Sequence, residues 1–79
     1  MKVTVYSRPG CHLCQEAIES LVALGADHPG LEIDEVNIEG DDDLHRRYLE
    51  RIPVVLIGDE IVTELVIELE VVRARLNNA

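Results

Sequence analysis

Hydrophobic positions in this chain fall into short blocks whose period changes between that of a strand and that of a helix. Val3-Thr4-Val5-Tyr6 is brief and β-branched, which suits a strand, and the following Ser7-Arg8-Pro9-Gly10 is turn chemistry. From Cys14 the apolar side chains recur at Ala17, Ile18, Leu21 and Val22. That is one helical face, and Gln15, Glu16, Glu19 and Ser20 fill the other. The spacing predicts a helix over about Cys11 to Leu24, with Gly25 as its C′ stop.

After the loop Asp27-His28-Pro29-Gly30, Leu31 to Ile38 reads as a second strand. Its apolar residues change phase between Ile33 and Val36, so it is either bulged or paired over its second half alone. Asp41, Asp42 and Asp43 suit the positive end of a short second helix, and Arg46, Arg47 and Arg51 its negative end, with Leu44 and Tyr48 facing inward. Ile52 to Ile57 is a buried-strand run with Pro53 at its entrance, where a missing N–H is tolerated. Gly58-Asp59-Glu60 turns the chain back into a fourth strand, Glu60 to Leu65, making a hairpin. Leu69, Val72 and Leu76 have helical spacing, and nothing marks where strand four yields to this helix. The order is β-α-β-α-β-β-α in one α/β domain over residues 1–79, with no repeat or linker. Right-handed crossovers make the first two strands parallel neighbours and put helices on both sheet faces.

Composition narrows the function. Seventy-nine residues suffice for one domain and one core, and 47% hydrophobic content excludes a disordered tail. With two Tyr, no Phe and no Trp, that core is aliphatic and lacks platforms on which bases could stack. Sixteen Asp plus Glu against seven Lys plus Arg leave a formal charge of −9, which repels nucleic acid and anionic membrane. No uninterrupted apolar run is longer than Val54 to Ile57, far short of a membrane span, and no signal-peptide pattern precedes Val3. A cytoplasmic monomer is the expectation. In a reducing compartment a permanent bridge between the two cysteines would be unusual, which leaves redox or metal chemistry for the pair.

Cys11-His12-Leu13-Cys14 stands where strand one hands over to helix one. At a helix N-terminus unpaired amides and the macrodipole favour an anion; Arg8 adds positive charge, and His12 adds more when protonated. Each effect lowers the pKa of Cys11, and the thiolate is the nucleophile. Cys14, one turn inside on the same helix side, is expected to be more buried and less acidic. This asymmetry suits thiol–disulfide exchange, in which one thiol attacks and the other resolves the mixed disulfide. A zinc site would need four ligands, and no second pair exists, while His28 and His45 lack ligand spacing. Idle cysteines in a pure interaction module, a dedicated hydrogen donor to one reductive enzyme, and a metal or iron–sulfur carrier on Cys11 are the competing readings.

Pro53 joins this constellation through connectivity. The loop before strand three lies beside the start of helix one, where a cis Ile52–Pro53 bond would turn the backbone N–H and C=O of Ile52 towards an incoming peptide. Tyr6 either flanks the cleft or is a strand-end core residue. Between Asp27 and Asp43 there are eight acidic residues and no Lys or Arg. A solvated edge kept from aggregating by charge is the simpler reading, and a docking surface for a basic partner the other.

Tyr6-Ser7-Arg8-Pro9-Gly10-Cys11-His12-Leu13-Cys14, followed about forty residues later by Ile52-Pro53-Val54-Val55, resembles a glutaredoxin-like protein of the thioredoxin superfamily, closest to its short Cys-His-Leu-Cys group. The resemblance covers the whole chain in element order. It implies Cys11 as attacking thiol, Cys14 as resolving thiol, Pro53 as the cis proline, and a mixed sheet of order 2-1-3-4 with strand three antiparallel to strand one. Arg8 matches the family's basic residue for a glutathione carboxylate. The family's Gly-Gly-x-Asp turn, which holds the γ-glutamyl end of glutathione, is here Thr63-Glu64-Leu65-Val66. The expectation is therefore a small dithiol oxidoreductase with no cofactor and weak glutathione binding, acting on a protein disulfide and re-reduced by a reductase or a thiol donor.

Overall fold

A computed structural model describes residues 1–77. The strands are β1 (Lys2–Ser7), β2 (Glu32–Asn37), β3 (Val54–Ile57) and β4 (Glu60–Glu64), and the helices α1 (His12–Leu24), α2 (Asp42–Tyr48) and α3 (Leu69–Asn77). The sheet order is β2-β1-β3-β4, with β2 parallel and β3 antiparallel to β1, and β4 antiparallel to β3. The α/β topology therefore follows the expected 2-1-3-4 order.

The sheet divides the interior in two, where the composition suggested one core. Val3, Val5 and Val55 point to one face and meet Leu21, Leu24, Val72 and Leu76 from α1 and α3. Val54 and Leu56 point to the other face and meet Ile38, Tyr48, Ile52 and Cys14. These two cores explain the phase change in β2. Ile33 pairs with Val3 and serves the first core, whereas Val36 pairs with Tyr6 on the opposite face. The strand is in continuous register with β1 from Glu32 to Asn37, neither bulged nor half-paired. The irregularity lies instead between Val55 and Leu56 on the β3–β4 ladder.

Gly25 does not act as a left-handed stop. Its φ is −60°, and the chain tightens into a 3₁₀ turn over Gly25–Asp27, so the reversal is deferred to Gly30 at φ 90°. The α2 helix is short but well capped: Asp41 Oδ1 accepts the N–H groups of Asp43 at 2.9 Å and Leu44 at 3.2 Å. Strand four ends at Glu64, because Leu65 enters the left-handed region at φ 67°.

Candidate active site

Strand β1 ends at Ser7, and Arg8-Pro9-Gly10 turns the chain, with Gly10 at φ 81°. Cys11 is the N-cap of α1 in extended conformation (φ −85°, ψ 106°). Its own N–H donates to Arg8 O at 3.3 Å and its carbonyl accepts the N–H of Gln15 at 3.1 Å. The N–H of Cys14 donates to Cys11 Sγ at 3.2 Å, the bond a Ser or Asp cap would ordinarily receive. No carboxylate lies in the first turn of α1, so its positive end is not offset from within the helix's own first turn. The two cysteines are joined as a disulfide with their Cα atoms 5.2 Å apart. Cys14 is only 2% exposed, whereas Cys11 is half-buried.

The Ile52–Pro53 peptide bond is cis. Both side chains are buried, and Cys11 packs against the same core as Ile52. The backbone of Ile52 differs from expectation in one respect. Its N–H donates to Tyr48 O at 3.0 Å, because α2 ends directly into this loop, so that donor is already engaged. The loop is also held from β4: Leu65 N–H donates to Arg51 O at 3.0 Å and to Pro53 O at 3.1 Å, and the Arg51 guanidinium bonds the Glu64 carboxylate. Thr63-Glu64-Leu65-Val66 therefore lies against the cis-proline loop. Val66 N–H is bonded back to Glu64 O at 2.8 Å, so the amides of both Leu65 and Val66 are used within the chain.

A cleft of about 330 Å³ opens beside the cysteines; Arg8, Cys11, His12, Cys14, Gln15 and Glu35 contribute to its wall. Arg8 is directed to Glu39, with Nε 3.7 Å from Oε2. His12 is largely exposed, and its Nε2 stands 3.6 Å from Glu16 Oε1, a partner one turn along α1. Tyr6 lies on the α2 face of the sheet, its ring centroid 5.0 Å from that of Tyr48, and is not part of the cleft wall. Glu35 comes from the acidic segment and has no marker in the sequence. Only the β1–β2 register, Val5 opposite Glu35, brings it to the cysteines. Among the described residues there is no group of three or more His, Cys, Asp and Glu side chains able to hold a metal ion, and no helix long and apolar enough to cross a membrane.

A four-stranded mixed sheet carrying a Cys-x-x-Cys pair at the start of its first helix, with a cis proline before β3 whose preceding Ile52 shares a core with both cysteines, defines a thioredoxin-fold protein. Within that class the chain belongs to the glutaredoxin-like domain family (DUF836), whose model matches residues 2–78. It is similar to protein Ne2328 of Nitrosomonas europaea, known from a solution NMR structure, at 36% identity and a TM-score of 0.80, over 94% of this chain and 88% of that one. It is also similar to protein XcR50 of X. campestris, known from an X-ray structure, at 29% identity and a TM-score of 0.75, over 98% and 97% of the two chains. No curated protein matches it.

Proposed function

We propose that this protein is a small dithiol thiol–disulfide oxidoreductase. The observation that carries the reading is the sulfur of Cys11 at the N-cap of α1, accepting the Cys14 N–H at 3.2 Å. In the reduced protein the same N–H and the positive end of α1 favour the thiolate of Cys11, which attacks a partner's disulfide. Cys14, buried one turn further on, resolves the mixed disulfide. Arg8 adds positive potential from the cleft wall, moderated by Glu39, and His12 tunes the pair when protonated, moderated by Glu16. Ile52 and Pro53 present the incoming segment. With its N–H occupied, Ile52 offers its carbonyl as acceptor. Tyr6 contributes by bracing Tyr48, from which the loop departs.

Glutathione is held weakly in this reading. The amides of Leu65 and Val66 are bonded within the chain, and a −9 surface does not attract an anionic tripeptide. Electrons come instead from a reductase or a protein thiol, with the protein acting as a cytoplasmic monomer. Alkylation of the reduced protein across a pH series tests the proposal. Cys11 is expected to react as a thiol ionising well below the free value of about 8.5. Titration at or above that value overturns it.

A further inference from the structure

Building on the redox reading above, we propose that the cleft beside the cysteines selects disulfides flanked by a Lys or Arg side chain, and that Glu35 is the residue that reads this charge. Glu35 lines the same cleft as Cys11 and Cys14. Its Oε2 accepts a 2.8 Å hydrogen bond from the hydroxyl of Ser7, which is itself only 2% exposed, so the carboxylate is anchored from within the sheet. A second cavity of about 280 Å³ adjoins the first, sharing Arg8, Pro9 and Glu35 and reaching Asn37 at the end of β2. A segment whose cystine meets Cys11 thus has room for its neighbouring side chain beside Glu35.

The basic side chains of this cleft already have partners. Arg8 is paired with Glu39 and His12 with Glu16. The pattern extends over the molecule: Lys2, Arg46, Arg47, Arg51, Arg73 and Arg75 each stand against a carboxylate, Arg46 and Arg47 sharing that of Asp43. Against a net charge of −9, an approaching substrate meets a field set by carboxylates, and Glu35 is one held by a hydrogen bond in the wall of the cleft it enters. The acidic stretch that reads as a solvated edge in sequence thereby contributes to the reaction cleft.

In the reaction the Cys11 thiolate bonds to one sulfur of the partner disulfide, and the other sulfur leaves as a thiolate that takes a proton from water. Cys14 then gives up its proton and attacks the Cys11 sulfur, releasing the second partner thiol. Two electrons pass from the chain's dithiol to the partner's disulfide, and the chain is left with its Cys11–Cys14 bridge. Glu35 pairs with the partner's cation before these transfers and exchanges no proton.

The test uses the full chain, reduced with dithiothreitol and freed of it, so that single turnovers need no further reductant. Two disulfide-linked peptides, identical except for Lys or Glu beside each cysteine, are mixed with it in stopped flow at low and high salt. The Lys peptide is expected to react faster, with the gap narrowing as salt screens it. Glu35→Gln keeps an acceptor for Ser7 and is expected to lower the Lys-to-Glu rate ratio about three- to fivefold, the scale of one partly exposed ion pair. Asp59→Asn makes the same change in charge at the β3–β4 turn, beyond Ile57, which pairs near the start of β1 and so lies at the opposite end from the cysteines. It is expected to leave the ratio unchanged. A ratio unaltered by Glu35→Gln, or lowered equally by Asp59→Asn, overturns the role of Glu35. Failure of the wild type to reduce either peptide overturns the redox reading itself.

Discussion

The guanidinium of Arg51 is bonded to the carboxylate of Glu64, so the residue before Ile52–Pro53 is tied to the last residue of β4. The same guanidinium lies 5.1 Å from the centroid of the Tyr48 ring, which connects the cis-proline loop to the core under α2. The hydrogen bond from Arg51, reinforced by its charge, holds the Glu64 carboxyl below its ordinary value of 4.5. A carboxyl depressed in the folded state stabilises the fold above its unfolded value, and that contribution is lost as pH falls through the depressed one. Glu64→Gln is therefore expected to melt below wild type at pH 7, with the two melting temperatures converging as the pH is lowered below about 4.5. Parallel curves over that range would sink the assignment.

The division of labour between the cysteines predicts opposite behaviour for two single variants. Reduced Cys14→Ser, incubated with a disulfide peptide, should accumulate a mixed disulfide on Cys11 that mass spectrometry detects. Reduced Cys11→Ser should accumulate none, because Cys14 is only 2% exposed.

Leu65 has a left-handed backbone at φ 67° and a half-exposed side chain. A branched residue there carries strain that glycine does not, and little apolar burial is lost on trimming it. Leu65→Gly is expected to raise unfolding stability by about 0.5–1 kcal/mol in urea titration, a net of relieved strain and glycine's larger unfolded-state entropy. A loss of stability would show that packing of Leu65 outweighs its backbone.

Asp41 caps α2 through two N–H bonds. Asp41→Ala should cost about 1 kcal/mol of unfolding free energy, while the thiol reactivity of Cys11 stays as in wild type. A change in that reactivity would mean that α2 is coupled to the site more tightly than its contacts suggest.

Leu21 is fully buried between α1 and the sheet. Leu21→Ala should destabilise the protein by about 3 kcal/mol, a transfer and cavity cost that a small domain with few core layers absorbs poorly. A shift under about 1 kcal/mol would imply that α1 collapses into the space.

Local chemistry along the chain determined the elements of this protein and its reactive pair. The β-branched block at Val3–Val5, the apolar stripe from Cys14 to Val22 and the hairpin about Gly58 depend on periods and turn residues only a few positions apart. A Cys-x-x-Cys pair at a strand-to-helix junction likewise states its chemistry within four residues. What spans the sheet was decided by the tertiary structure. The phase change in β2 is intelligible only once two cores flank the sheet, and Gly25 stays right-handed because the following 3₁₀ turn takes up the helix end. The Ile52 N–H is engaged by Tyr48 because α2 runs straight into the cis-proline loop. Glu35 reaches the cleft wall through parallel register, a pairing between residues thirty positions apart for which the local sequence carries no mark. Contacts closed across that separation are set by how whole elements pack, and that is why the fold and the cysteines could be read from the chain while the charge of the cleft could not.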